Sequence, residues 1–440
     1  MQNGKVASIV FYPFAYALLD DELCNYCWYC LKDSKRGELH RCSSCKTALF
    51  CNNDCQRLGW MDHKTECHSL TICKPWIPDI EVRLLGRIVA RQMQIQKGQD
   101  QRKEDFYLNR TSNRSLMDIW HHETEMKANL EARKKFEVIY SALVRFYGLK
   151  KLLDKATIFS IHSRNYINRH AISDLSYLKE IGKGLYLDLC SYDHSCWPNA
   201  IYTCQSFVAT LRPLYSDVDL TDRTSTFYSY IDLLASRIQR RQMLLESWYF
   251  QCCCNRCSDD TDHLLTAIRC AKCAASVAIY EGNTLKKGTL RCSECGSDFE
   301  MHADEAVQLM KDLDDRIETS NFKDTKNTFL LLEELIATSS SLLAVENVYL
   351  ARLYQARIRC TEPSNVACLL EGCLKALPCM LRCFPKNHPA LAYHFMSIGI
   401  YQLRLGIPEA KDNLNTALDR FCFSLGNSHE LTDQCRALCV

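Results

Sequence analysis

The sequence has little of what marks several protein classes. Glycine and proline supply only 15 and 10 of its 440 residues, too few for a collagenous or low-complexity chain. Neither charge sign dominates: 54 Lys and Arg face 52 Asp and Glu, a net charge of +2. That balance excludes a dedicated nucleic-acid or polybasic membrane binder. Long apolar runs are missing too. The longest, Val6 to Leu19, contains Ser8, Tyr12, Pro13 and Tyr16 and ends in Asp20, Asp21 and Glu22. It is too short to cross a bilayer and lacks the basic start and small-residue cleavage site of a secretory signal. It reads as buried strand in an intracellular protein. With 47% hydrophobic and 24% charged residues the composition is globular, and the length suggests about three domains.

What the chain has in excess is cysteine, 28 residues. In a reducing compartment, short regular spacings point to thiolate ligation of zinc rather than to disulfides. Eight ligand-type residues run Cys27-x2-Cys30, Cys42-x2-Cys45, Cys51-x3-Cys55 and His63-x3-Cys67, enough for two tetrahedral sites. His63 and Cys67 are four apart, hence on one face of a helix for which Asn52, Asn53 and Asp54 are capping candidates. Cys24 competes with Cys27 as a ligand, but the spacing of the whole set favours Cys27. A second cluster, Cys252-x-Cys254-x2-Cys257, is one ligand short of a closed site. Cys196 in the segment DHSCWPN is the candidate fourth, and Cys253 must point away. A third set, Cys270-x2-Cys273 and Cys292-x2-Cys295 followed by Gly296, has zinc-ribbon knuckle spacing. Most of the remaining cysteines lie after residue 359 on apolar helical faces and read as small core residues.

The helical period appears in EVRLLGRIVARQMQIQ and EARKKFEVIYSALVRFYGL, with Gly148 as a stop. Arg83, Arg87, Arg91, Lys97, Arg102 and Lys103 read as a solvated helix face, with a partner-binding face as the alternative. After Ala303 the pattern is helical to the end. A 41-residue offset relates Ala376 and Leu377 to Ala417 and Leu418, Met380 to Phe421, and His388 to His429. That period suits stacked helix pairs of tetratricopeptide type, with the two histidines as caps or turn fillers.

The set from Cys27 to Cys67 resembles the MYND zinc finger, in which the first and third pairs share one zinc and the second and fourth share the other. The resemblance implies Cys27, Cys30, Cys51 and Cys55 on one ion and Cys42, Cys45, His63 and Cys67 on the second. MYND fingers bind proline-rich peptides or serve as structural modules, and both readings stand. Asp193-His194-Ser195-Cys196-Trp197-Pro198-Asn199 looks like the Asn-His-Ser-Cys-x-Pro-Asn signature of SET-domain lysine methyltransferases. Tyr228-Ser229-Tyr230-Ile231-Asp232 looks like the tyrosine strand that follows it, and the Cys-x-Cys-x2-Cys run like the post-SET site, to which the signature cysteine gives the fourth ligand. A finger ahead of these motifs is the order of the SET-and-MYND (SMYD) family.

The fold this implies is α+β. An N-terminal remnant of a split β-rich SET domain (1–26) is followed by the MYND finger (27–67), a helical insert (68–155), the SET core (156–245) and the post-SET zinc motif (246–260). A zinc-ribbon-like insert (261–301) and an all-α tetratricopeptide-like domain (302–440) complete it. Four zinc ions and S-adenosylmethionine are the implied cofactors. The implied activity is methylation of a lysine on a histone or non-histone protein, in cytoplasm and nucleus, by a monomer without direct nucleic-acid or membrane contact. Residues 27–67 carry seven Lys/Arg against five Asp/Glu, too little excess charge to drive phosphate binding.

A lysine ammonium has a pKa of about 10.4, so the site must desolvate the amine and aim it. The resemblance implies Tyr230 as the catalytic tyrosine, Tyr228 and Trp248 in the substrate channel, and Asp193, His194 and Phe250 at the cofactor. Aromatic faces suit the positive charge of donor and product. Departures from the family pattern are Asp193 for asparagine, Thr157-Ile158-Phe159-Ser160-Ile161 for Asn-x-Phe-x-Ile, and Arg223-Thr224-Ser225-Thr226 for Gly-Glu-Glu-Leu. The opening MQNGKVASIVFYPFAYAL resembles the strand just ahead of the finger, so the family's Gly-x-Gly segment is expected to be lacking from these residues. The departures keep a second reading open: a degenerate SET/MYND zinc-binding scaffold that acts through protein–protein interaction.

Overall fold

The computed structural model describes residues 7–100, 114–176 and 179–439; Arg102 and Lys103 lie outside them. The apolar N-terminal run, expected as one strand, is two: β1 (Ile9–Phe11) and β2 (Ala15–Leu18). Pro13 between them has no N–H to give to a ladder, and the two strands enter different sheets. The finger follows, with a short hairpin of β3 (His40–Arg41) and β4 (Leu49–Phe50) and helix α1 (Asn53–Ile72). The Asn52 side chain caps α1 by accepting from Cys55 N at 2.9 Å. Next come α2 (Ile80–Gln96), α3 (Glu123–Ala128), α4 (Leu130–Tyr147) and α5 (Lys155–Asn168). Asp79, Asn129 and Asp154 cap α2, α4 and α5. Gly148 ends α4 at φ 83°, where a side chain would be strained.

Strands β5 (Arg169–Ser173), β6 (Glu180–Leu185), β7 (Asp193–His194), β8 (Ala200–Gln205), β9 (Val208–Pro213) and β10 (Phe227–Tyr228) complete the β-rich part. One antiparallel sheet is ordered β1-β9-β8 and the other β2-β6-β5, while β7 and β10 pair in parallel. The finger and α1 to α5 are thus inserted between strands of the same two sheets. Helix α6 (Arg237–Trp248), a single turn at Asn255–Ser258 and three antiparallel pairings between Ile268 and His302 lead to the C-terminal helices.

These are α7 (Ala303–Glu318), α8 (Thr325–Ser339), α9 (Val348–Cys360), α10 (Val366–Cys383), α11 (Pro389–Arg404), α12 (Ala410–Ser424) and α13 (Glu430–Leu438). The 41-residue offset superposes α10–α11 on α12–α13 along the chain. His388 and His429 cap α11 and α13, each accepting a backbone N–H on Nδ1 at 3.2 Å. Cys360, Cys373, Cys379, Cys383 and Cys435 are buried in this helical part. One apolar core links β1, β2, the inner side of the finger, α2 and α4; a second joins the cysteine ribbon to α7–α10 and the start of α11, and a third packs α11 with α12 and α13. Among the described residues, no helix is long and apolar enough to cross a membrane.

The basic residues of α2 correct the sequence reading. Arg83, Arg87 and Arg91 are buried, neither solvated nor offered to a partner. They donate to the carbonyls of Leu18 and Tyr16, each at 2.7 Å, and of Phe14 at 2.5 Å. Four helical residues rise about 6 Å and two strand residues about 6.6 Å, so arginines at every fourth position meet carbonyls at every second. The need they answer belongs to β2, an edge strand whose carbonyls would otherwise be buried without donors.

Candidate functional site

Each cysteine-rich set closes on itself in space. The groups are Cys27, Cys30, Cys51 and Cys55; Cys42, Cys45, His63 and Cys67; Cys196, Cys252, Cys254 and Cys257; and Cys270, Cys273, Cys292 and Cys295. Within each, all ligand atoms lie within 4.8 Å of one another. Representative separations are 3.4 Å for Cys30–Cys51, 3.5 Å for Cys45 Sγ to His63 Nε2, 3.8 Å for Cys196–Cys252 and 3.5 Å for Cys273–Cys292. A tetrahedron with zinc–sulfur bonds of about 2.3 Å has edges of roughly 3.8 Å. The donors therefore fit zinc in both chemistry and spacing. The finger pairs interleave, first with third and second with fourth, while Cys24 and Cys253 are exposed and outside the groups. Beside the third set, Arg240 reaches Cys257 Sγ at 3.7 Å and Asp262 at 2.9 Å, bringing a buried positive charge to the thiols.

The aromatic site is built where β7 and β10 run side by side. Their register sets His194 beside Tyr228. His194 Nδ1 then accepts the backbone N–H of Tyr230 at 3.0 Å, and Tyr230 Oη donates to the carbonyl of Tyr192 at 2.7 Å. The turn before β10, where Arg223-Thr224-Ser225-Thr226 departs from the family pattern, is closed by other means. Asp222 accepts from the hydroxyls of Thr224 and Ser225 at 2.7 and 2.6 Å. Asn199 ties the turn to the signature, donating to Ser225 O and accepting from Phe227 N, both at 2.7 Å. Trp248, at the end of α6, donates Nε1 to Ile167 O at 2.8 Å and stands 5.6 Å from the Tyr230 ring.

Tyr228, Tyr230 and Trp248 line a cavity of about 250 Å³ together with Asn168, Arg169 and His170. A second cavity, about 380 Å³, adjoins it, with Leu233, Phe384 and His388 in its wall. The two share Ala171, Glu180, Tyr202, Tyr228, Ser229 and Tyr230. Of the remaining expected residues, His194 sits behind Tyr230, Phe250 packs on His194 with ring centroids 6.1 Å apart, and Asp193 is exposed. None of these three lines the first cavity. Burial, with the Asp193 charge adding to it, raises the Tyr230 pKa, and burial raises that of Tyr228 further, so both hydroxyls keep their protons.

His170 was missed in the sequence. Its Nε2 lies 2.7 Å from Tyr228 Oη, burial lowers its pKa to about 4, and its buried Nδ1 has no hydrogen-bond partner. The signal was present. Thr157 to Ile161, read as the counterpart of Asn-x-Phe-x-Ile, lies in α5, where Thr157 bonds to its cap Asp154 at 2.6 Å. The order asparagine, ring, isoleucine also occurs at Asn168, His170 and Ile172, at the entry to β5, where Asn168 and His170 line the cavity. The lining fits an S-adenosylmethionine-like group. Aromatic faces suit a sulfonium, Arg169 and Lys183, which also meet Glu81, suit a carboxylate, and Nδ1 of His170 awaits a partner.

Two sheets with a finger inserted between their strands, and paired cavities around a buried tyrosine, have the arrangement of a MYND-type finger on a split SET-like scaffold. Comparison with known proteins agrees. The family model described as MYND finger matches residues 24–67. The chain is 32% identical over 248 residues to N-lysine methyltransferase SMYD2-B of Xenopus laevis, covering 56% of this chain and 54% of that protein. It is 30% identical over 276 residues to the human N-lysine methyltransferase SMYD2, covering 61% and 59%. Histone-lysine N-methyltransferase SMYD3 of Mus musculus is 25% identical over 436 residues, covering 96% of this chain and 88% of that protein. The matched region thus spans just over half the length of the SMYD2-type relatives. The likeness is to proteins named as lysine methyltransferases of the SMYD2 and SMYD3 types.

Proposed function

We propose that this chain is a protein-lysine N-methyltransferase that uses S-adenosylmethionine and holds four zinc ions in its four cysteine sets. The observation that carries the proposal is the pair of cavities that meet at Tyr228, Ser229 and Tyr230. Methyl transfer needs donor and acceptor to meet at one point in line, and two adjoining cavities with a common wall at these tyrosines suit that need. When bound in the first cavity, the donor supplies an electrophilic methyl group on a sulfonium. The chain's own residues do the rest. The aromatic walls strip water from a lysine amine entering through the second cavity, which disfavours its charged form. Tyr230, whose proton is directed to Tyr192 O, and Tyr228, hydrogen-bonded to His170, present oxygen lone pairs that hold the amine in line.

Asp232 in the second cavity, with Glu180 in the wall common to both, suits a lysine-bearing protein segment, histone or non-histone. The finger's partners are proline-rich peptides, and the enzyme acts as a monomer in cytoplasm and nucleus. The test is calorimetric titration of S-adenosylmethionine into the zinc-loaded chain, followed by transfer of labelled methyl to core histones. Micromolar binding and transfer that falls about 100-fold in Tyr230→Phe, at unchanged zinc content, are expected. No binding by a chain with all four zincs, or full transfer by Tyr230→Phe, would overturn the assignment.

A further inference from the structure

The second zinc set of the finger is joined to the β-rich core by a line of buried charges. His63 turns Nε2 toward Cys45 at 3.5 Å, and its other ring nitrogen, Nδ1, lies 3.6 Å from Oε1 of Glu66. The rings of Trp28, Phe50 and Trp60 stand around the imidazole. Glu66, one turn further along α1, is 1% exposed, and both its oxygens meet Arg87, at 2.5 Å to Nη2 and 3.2 Å to Nε. Arg87 is itself buried and donates Nη1 to the carbonyl of Tyr16 in β2.

We propose that Glu66 is the positioning residue of this zinc site and that it fastens the site to the sheet carrying the cavity wall. A ligating imidazole must keep one nitrogen free for the metal, and a carboxylate facing the other fixes that tautomer, aims the ring and raises its basicity; Glu66 is the charged group nearest the otherwise unpartnered Nδ1, at an ion-pair distance of 3.6 Å. Here the same carboxylate is neutralised by Arg87. Neither buried charge is tolerable alone, so each link in the series His63, Glu66, Arg87, Tyr16 depends on the next. Strand β2 pairs with β6, and β6 with β5, which bring Lys183 and His170 to the first cavity. Metal occupancy at Cys42, Cys45, His63 and Cys67 is therefore linked to the order of that sheet, and by reciprocity the sheet holds the metal site together. The inference rests on reading that set as a zinc site and is independent of methyl transfer.

The experiment uses the full zinc-loaded chain. Graded EDTA, a pulse of N-ethylmaleimide and peptide mass spectrometry read the protection of each cysteine. In Glu66→Gln, Cys42, Cys45 and Cys67 are expected to become labelled at about 10- to 100-fold lower chelator than in the parent, with Cys27, Cys30, Cys51 and Cys55 unchanged. A second measurement needs no variant: in the parent chain, hydrogen exchange of residues 15–18 and 180–185 should accelerate over the same chelator range in which Cys42, Cys45 and Cys67 become reactive. The inference is overturned if all finger cysteines shift together, if none shifts, or if the sheet keeps its protection once the second set is labelled. If Cys42, Cys45 and Cys67 react without chelator, the zinc reading has failed and this inference falls with it.

Discussion

His170 shows how one side chain ties the stability of the site to pH. Its ring is enclosed by Tyr186, Tyr202 and Tyr228, and burial holds its pKa to about 4, against about 6.5 in an unfolded chain. The folded value is depressed, so the stabilisation is complete above pH 6.5 and is lost as pH falls toward 4. Between pH 7.5 and pH 5 this single group should remove about 2 kcal/mol, at 1.36 kcal/mol per unit below 6.5. His170→Phe deletes that dependence but leaves Tyr228 Oη without its partner, at about 1–3 kcal/mol. Urea unfolding should therefore find the variant less stable at pH 7.5 and the gap narrowed by about 2 kcal/mol at pH 5; a constant gap would show that the imidazole is not neutral in the fold. At this scale the four cysteine and histidine groupings were legible, because short fixed spacings are a property of the chain alone. His170 was not, because an isolated histidine has no spacing, and the asparagine-ring-isoleucine order around it lies eleven residues beyond Thr157, in a stretch with a similar apolar pattern.

The elements follow the same division. The periods of α2 and α4, the stop at Gly148 and the capping histidines of α11 and α13 are local, and the sequence carried them. The side of α2 that faces inward was misread, since arginines four apart look like a polar stripe on any helical projection. What buries them is the edge of β2, seventy residues away in the chain and in register only in the folded molecule. Arg83 tests this. It is 1% exposed and satisfies the carbonyls of both Leu18 and Pro78. Arg83→Leu should destabilise the protein by about 3 kcal/mol or more in chemical denaturation, through two buried acceptors left without donors. Lys97→Ala, at the exposed end of the same helix, should stay within about 0.5 kcal/mol. Equal small effects would restore the solvated-face reading.

At the scale of the whole molecule, the site is assembled from segments as distant as Tyr166 and Ala390, and no local pattern announces that two cavities share their walls. Arg256 is where the pieces meet. Buried beside the third cysteine set, it donates Nη1 to Cys196 O and Leu233 O at 3.2 Å and to Cys383 O at 2.9 Å, while Nε reaches Asp262 at 3.0 Å. Leu233 lines the second cavity, and Cys383 precedes Phe384, which lines it too; the first cavity includes neither. Arg256→Met should thus loosen the wall on the acceptor side and spare the donor side. The expected result is a rise of about tenfold or more in KM for a protein substrate, with the dissociation constant for S-adenosylmethionine and the zinc content unchanged. Donor affinity falling in step with the rise in KM would mean that the variant is loosened throughout. The junction would then be a general support of the fold, and the two cavities would not be separable by a single side chain.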